Sequence, residues 1–132
     1  MGESALVESR IVDAHALIQE LDRANTGPAV AAWYFYFDAG QWRLVMGGPN
    51  FDPLLPKQEP IAYRRIVDAL ANIPSSVLAI SDVKLIRSDS QLAKAFQLII
   101  RTPPDALVRA YCSDTTINGV FIKEMVILRA SG

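Results

Sequence analysis

Two segments of the chain combine apolar, β-prone residues with a central turn signal, the pattern of a β-hairpin. The first runs from Val30 to Met46, is the densest block of aromatic and β-branched residues, and contains a turn at Gly40. Its apolar face needs a cover, because a hairpin alone is marginally stable in water. We expect that face to pair Phe37 with Trp42, Phe35 with Leu44 and Trp33 with Met46.

The second hairpin lies near the end of the sequence, where Asn118-Gly119 separates two apolar segments. This dipeptide favours a type I′ turn, which would pair Ile117 with Val120. Both faces of the hairpin are then largely apolar, which is typical of strands that are covered on both sides or on one side by a partner. The further pairs expected from this register are Cys112 with Met125, Ala110 with Ile127, Tyr111 with Val126, and Arg109 with Leu128.

Three other segments show the period of an amphipathic helix. They run from Glu3 to Ala24, from Glu59 to Ile73, and from a capping box at residues 88–91 to about Ile100. A β-rich segment at residues 83–87 predicts a short strand between the last two helices. The predicted order is therefore α-β-β-α-β-α-β-β, and the predicted fold is α+β.

The tight hairpins favour a mostly antiparallel five-stranded sheet with the three helices packed chiefly on one face, a two-layer domain spanning residues 1–132. A sheet covered on both faces would result if the first helix crossed to the opposite side. The first helix also has a narrow seam of apolar residues spaced three and four apart, which includes Val7, Ile11, Ile18 and Leu21. This spacing suits either packing on the first hairpin or a coiled-coil contact with a second copy of the chain.

Composition narrows the possible functions. The chain has 132 residues, 51% of them hydrophobic, and 13 basic residues against 14 acidic ones. A net charge near zero argues against a nucleic-acid-binding protein, which needs many phosphate contacts. The single cysteine, Cys112, excludes an internal disulfide and favours a reducing compartment. No signal peptide and no run of about 20 apolar residues is evident, so we expect a cytoplasmic protein without a membrane partner.

Candidate chemistry is sparse. His15 is the only histidine and lies at the edge of an apolar helix stripe, and neither it nor Cys112 belongs to a nucleophile motif. The residues therefore predict no catalytic site, no metal site and no cofactor. The irregular segment 47–56 is long enough to hold a small ligand, with Asn50 and Asp52 as the candidate contacts. Alternatively, it is a connector that fills the end of the core with Phe51, Leu54 and Leu55.

A second candidate binding site lies on the sheet. Tyr34, Tyr36 and Arg43 share the polar face of the first hairpin, and Arg109 and Tyr111 share a face of the second. Adjacent hairpins could present these rings and guanidinium groups together and bind an anionic, nucleotide-like ligand. Tyrosine and arginine are also common at protein interfaces and on half-exposed sheets.

Three segments resemble a family of small bacterial α+β domains of uncharacterised function. They are TrpTyrPheTyr with TrpArgLeu in the first hairpin, AlaTyrArgArgIle at 62–66 and IleAsnGlyValPheIleLysGlu at 117–124. The resemblance spans about Val30 to Arg129 and implies a bacterial, intracellular setting, but it brings no catalytic residue. The high apolar fraction, the seam of the first helix and the two apolar faces of the second hairpin predict a non-catalytic binding domain that forms a homo-oligomer or binds a protein partner. A small-ligand module is the alternative.

Overall fold

A computed structural model describes residues 8–131, which form one five-stranded sheet and three α-helices. The predicted element order and the α+β class are confirmed. Short 3₁₀ turns at Asp52–Leu54 and Ile80–Asp82 complete the connections. The helices are α1 (Glu8–Arg23), α2 (Glu59–Leu70) and α3 (Gln91–Ile99), and the strands are β1 (Val30–Tyr36), β2 (Gln41–Gly47), β3 (Val83–Ile86), β4 (Ala110–Ile117) and β5 (Val120–Ala130).

The strands lie in the order β3-β2-β1-β5-β4, so β3 and β4 form the two edges of the sheet. Three of the four strand pairs are antiparallel, as predicted, and β3 runs parallel to β2. Strand β3 runs parallel to β2 because the connection through α2 carries the chain back to the end of the sheet at which β2 begins. The sheet is therefore mixed.

The helices divide between the two faces of the sheet. Helices α1 and α2 cover the face that carries Trp33, Phe35 and Leu44. Helix α3 covers the opposite face, where Phe96 packs with Val30, Ala32 and Tyr34. The predicted packing of all three helices chiefly on one face is therefore corrected, because helices cover both faces. The helix on the second face is α3 and not the first helix. Full burial of a side chain as large as Phe96 contributes about 1.5–3 kcal/mol, so the second face is a core of its own.

The apolar seam of α1 packs inside the chain. Ile11, Ile18 and Leu21 are at most 3% exposed and belong to the core beneath α1 and α2. The alternative of a coiled-coil contact with a second copy is therefore wrong for these three residues, since their side chains do not reach the surface and pack against the first hairpin. Val7, the fourth residue of the proposed interface, and the predicted start of the helix lie outside the described residues.

The first hairpin keeps its predicted faces but changes its register. Its turn spans residues 37–40, so Phe35 pairs with Trp42 and Trp33 with Leu44. Phe37 consequently leaves the apolar face and is 49% exposed in the turn. Its ring contacts Phe121 of β5 edge to face, with ring centroids 5.4 Å apart. The predicted Phe37–Trp42 pair is wrong because the turn has four residues outside the strands.

The second hairpin has the predicted register. Ile117 pairs with Val120, and Asn118 and Gly119 have the positive φ angles of a type I′ turn. The expected pairs from Ala110 to Cys112 are also present. Arg109 lies just before β4, and the neighbouring Val108 N–H bonds the carbonyl of Leu128.

Candidate functional site

The polar side chains of segment 47–56 are engaged in holding the fold together. The Asn50 amide donates to the carbonyl of Gly27 at 2.8 Å, and the carbonyl of Asn50 accepts from Arg65 in α2. One Asp52 carboxylate oxygen accepts from the Ser88 N–H at 2.9 Å, and the other accepts from the Ser88 hydroxyl. Ser90, rather than Ser88, caps α3 by accepting from Ala93 N–H. The contacts of Asn50 and Asp52 describe a structural connector.

The apolar residues of the same segment fill the end of the core, as the connector interpretation expected. Phe51 is fully buried and Leu55 is 8% exposed, and Leu54 packs against them. A ligand would have to displace this packing to enter the segment. Asn50 also lines a concavity of about 380 Å³ together with Gly27 and Arg129, but Asp52 does not, so the two predicted contacts do not share one ligand site.

The two parts of the predicted tyrosine and arginine platform lie on opposite faces of the sheet. Tyr34, Tyr36 and Arg43 point to the α3 face, because the alternate residues Trp33, Phe35 and Leu44 point to the α1 face. Tyr111 pairs with Val126, a residue of the α1 face, and Arg109 binds Glu8 of α1. The combined platform is therefore corrected: alternation along the strands separates its members.

On the α3 face, the tyrosines are partly removed from water. Tyr34 is 7% exposed and donates its hydroxyl to the carbonyl of Phe121 at 2.9 Å. Its ring contacts Tyr36 edge to face, with centroids 4.8 Å apart. Burial raises the pKa of both phenols, and nearby Arg43 opposes this rise for Tyr36. Both hydroxyls are therefore neutral near pH 7 and can donate a hydrogen bond.

On the α1 face, Arg109 and Tyr111 are accessible. The Arg109 guanidinium forms a two-pronged pair with Glu8, with N–O distances of 2.7 and 2.5 Å. This pair raises the pKa of Arg109 and lowers that of Glu8, the Arg109 hydrogen bond being the largest cause of the Glu8 shift. Tyr111 is 69% exposed, so its ring is available to a partner.

A groove of about 420 Å³ lies beside β4 on the α1 face. Its floor is apolar, and Glu124 places a half-buried carboxylate in it. Within the part of the chain that the structure describes, no cation lies within 4 Å of that carboxylate. The lining includes Ile11, Trp42, Tyr111, Ser113, Glu124 and Val126.

Cys112 and His15 do not form a reactive pair. Cys112 is half-buried on the α3 face, and burial raises the pKa of its thiol, which disfavours the nucleophilic thiolate. The ring of His15 lies 3.2 Å from the carbonyl of Val108 through Nε2, on the side of the sheet that α1 covers. Each residue has a packing or hydrogen-bonding environment that explains its position.

Sequence reasoning missed a buried ion pair between α1 and β5. Arg129 is 0% exposed, and its guanidinium contacts both carboxylate oxygens of Asp22, at 3.0 and 2.8 Å. It also donates to the carbonyls of Pro28 and Ala106. An arginine directly after the apolar run 125–128 was the available signal, because a buried charge is usually paired with an opposite one. The sequence did not identify Asp22 as that partner, because Asp22 and Arg129 are 107 positions apart in the chain.

Across residues 8–131, no cluster of three or more histidine, cysteine, aspartate and glutamate side chains could hold a metal ion. No helix in this range is long and apolar enough to cross a membrane. Comparison with known proteins finds no matching family model, no matching curated protein and no matching solved structure. The resemblance to a family of bacterial α+β domains therefore stays a prediction.

Proposed function

We propose that this chain is a non-catalytic interaction domain that self-associates by pairing the β4 edges of two copies. The observation that supports the proposal is the open outer side of β4, an eight-residue strand at the end of the sheet. No other described strand lies beyond it. An open edge presents unpaired N–H and C=O groups, which form hydrogen bonds with an added strand.

The composition of β4 favours such pairing. Proteins protect edge strands with short length, proline, charged residues or β-bulges. Strand β4 contains no proline and is twice as long as the other edge strand, β3, and its one protecting feature is the charged Asp114, which has no ladder partner in β5. Asp114, with a φ of 48°, interrupts the strand and divides it into two halves. The half from Ala110 to Ser113 is uncharged and borders the groove that contains the exposed Tyr111 ring.

A second copy is the partner that suits this edge. Two antiparallel copies of β4 related by a two-fold axis would each offer the same groups, which is the usual symmetry of homodimers. Such pairing would also bury the Tyr111 ring and part of the groove, the kind of aromatic contact that dominates interface energies. The proposal keeps the second hairpin as the interface and does not use the α1 seam.

The absence of catalysis is part of the same proposal. It is supported by the structural roles of Asn50 and Asp52 and by burial of Cys112, which raises the pKa of its thiol and disfavours the thiolate. A cytoplasmic location and a bacterial origin, which the sequence and its resemblance predict, complete the proposal.

Native mass spectrometry together with light scattering over a concentration series tests the interface. We expect a dimer for the wild type and a monomer for the double variant Ser113→Lys/Thr116→Lys, because lysine on an edge strand opposes pairing. Both positions are exposed, so the fold should survive, and circular dichroism checks it.

The matched control is Gln19→Lys/Ser75→Lys, which adds the same charge at exposed positions away from the sheet. It should remain a dimer. A wild type that is monomeric throughout the series, or a β4 variant that stays dimeric, would disprove pairing through this edge.

A further inference from the structure

A shallow concavity lies on the α3 face of the sheet, at the end where β1 turns into β2. Its volume is about 200 Å³, and it is lined by Tyr36, Asp38, Gln41, Arg43 and Lys84, with Ala39 in the turn. Arg43 and Lys84 come from neighbouring strands. They share a face because Lys84 pairs with Val45, which lies two residues after Arg43 in β2.

Arg43 is a partly buried cation without an acidic partner. One of its terminal nitrogens donates to the carbonyl of Val83 at 2.8 Å, and its Nε is buried without a hydrogen-bond partner. Among the described residues, no carboxylate oxygen lies within 4 Å of its guanidinium. Arginine does not lose its proton in proteins, so the charge persists and is only partly compensated.

Other arginines of this chain show the usual solution. Arg10, Arg87, Arg109 and Arg129 each contact an aspartate or a glutamate. Arg65 and Arg101 have no such pair among the described residues, but neither has a buried nitrogen without a hydrogen-bond partner, as Arg43 does. Lys84 resembles Arg43 instead, since it is exposed and no described carboxylate lies within 4 Å of its ammonium group. The concavity thus brings together two cations that form no ion pair with a described carboxylate.

Two neutral groups add hydrogen-bonding capacity to the concavity. The phenol of Tyr36 is protonated at neutral pH, as an ordinary tyrosine is, and burial raises its pKa further; the Gln41 amide supplies additional donors. Asp38 also lines the concavity and carries the opposite charge. Its carboxylate repels an anion, so removal of its charge should strengthen anion binding.

From this arrangement we infer that the concavity binds a small oxyanion group, a phosphate or a carboxylate, between Arg43 and Lys84. A planar guanidinium and a flexible ammonium are the side chains that recognise such groups, and both form charge-assisted hydrogen bonds. The inference goes beyond self-association and is independent of it, because β2 and β3 lie at the opposite side of the sheet from β4.

Isothermal titration with inorganic phosphate and, separately, with sodium acetate tests the site at constant ionic strength in chloride. We expect saturable binding of one anion per chain and about tenfold weaker binding in Lys84→Ala and in Arg43→Gln, the factor expected for one charge-assisted hydrogen bond. Asp38→Asn should bind more tightly. Lys57→Ala removes an exposed lysine outside the concavity and should bind as the wild type does.

The relative affinities for phosphate and acetate distinguish the two ligand classes, and two further results would reject the inference. Tighter binding of phosphate assigns the site to a phosphoryl group, whereas equal or tighter binding of acetate assigns it to a carboxylate. No saturable binding of either anion, or unchanged affinity in both Lys84→Ala and Asp38→Asn, overturns the inference. These two positions are not part of the core, so they keep the test decisive if Arg43→Gln does not fold.

Discussion

Arg129 and Arg43 both lie on the sheet and are both shielded from water, but the fold treats them differently. Arg129 is fully buried, and Asp22 and two carbonyls engage its guanidinium. Arg43 has one carbonyl partner and no carboxylate among the described residues. A buried charge with a complete set of partners fixes the structure, whereas one with an incomplete set marks a place where a ligand can contribute.

The largest expected effect is on the complete pair. Asp22→Ala should lower the free energy of unfolding by about 3 kcal/mol, since it leaves the Arg129 charge buried and uncompensated. Urea denaturation measures the change. The control is Asp68→Ala, which breaks the exposed Arg64–Asp68 pair and should cost less than about 0.5 kcal/mol. Equal losses in the two variants would show that burial does not distinguish these ion pairs.

A smaller effect is expected at Arg43. In chloride buffer, Arg43→Gln should change the free energy of unfolding by no more than about 1 kcal/mol, because relief of an uncompensated charge offsets the lost hydrogen bond to Val83. Urea denaturation again provides the measurement. A loss as large as that of Asp22→Ala would mean that Arg43 is as much a part of the core as Arg129, and the comparison would fail.

The smallest effect concerns the exposed pair of Glu8 and Arg109. Arg109 lowers the pKa of Glu8 below its ordinary value of 4.5. The pair therefore adds stability above that unfolded-state value and loses its contribution as the pH falls through the lower pKa of the folded state. Melting temperatures of the wild type and Glu8→Gln should differ slightly at neutral pH and converge in acid.

Glu59→Gln is the control for this last measurement, because Glu59 is exposed and has no ion pair among the described residues. At neutral pH its melting temperature should differ from that of the wild type by less than that of Glu8→Gln does. A Glu8→Gln difference that grows as the pH falls would contradict the assigned sign.

Local signals in the sequence predicted most elements of this fold. Asn118-Gly119 specified both the turn and the register of the second hairpin, since the type I′ geometry depends on those two residues. Gly40 marked the first turn but not its length, and a shift of two residues moved Phe37 out of the core. A shift by an even number preserves the faces, so the division between Trp33 and Tyr34 remained correct.

The candidate sites were less predictable than the elements. Tyr36 and Arg43 do line one concavity, but Lys84 joins them only because β3 pairs with β2. Arg109 and Tyr111 do not join that group, because the pairing of β4 with β5 places them on the α1 face of the sheet. Asn50 and Asp52 have polar side chains in an irregular segment, and their partners, Gly27 and Ser88, are distant in sequence.

The sequence by itself determined the helices, the hairpins and the alternation of residues along each strand, because these depend on neighbours within a few positions. Tertiary structure alone decided that α3 covers the second face, that β4 is an edge strand and that Asp22 meets Arg129. Those outcomes depend on strand order and on the direction of each connection. They involve contacts between distant segments, which no local pattern specifies.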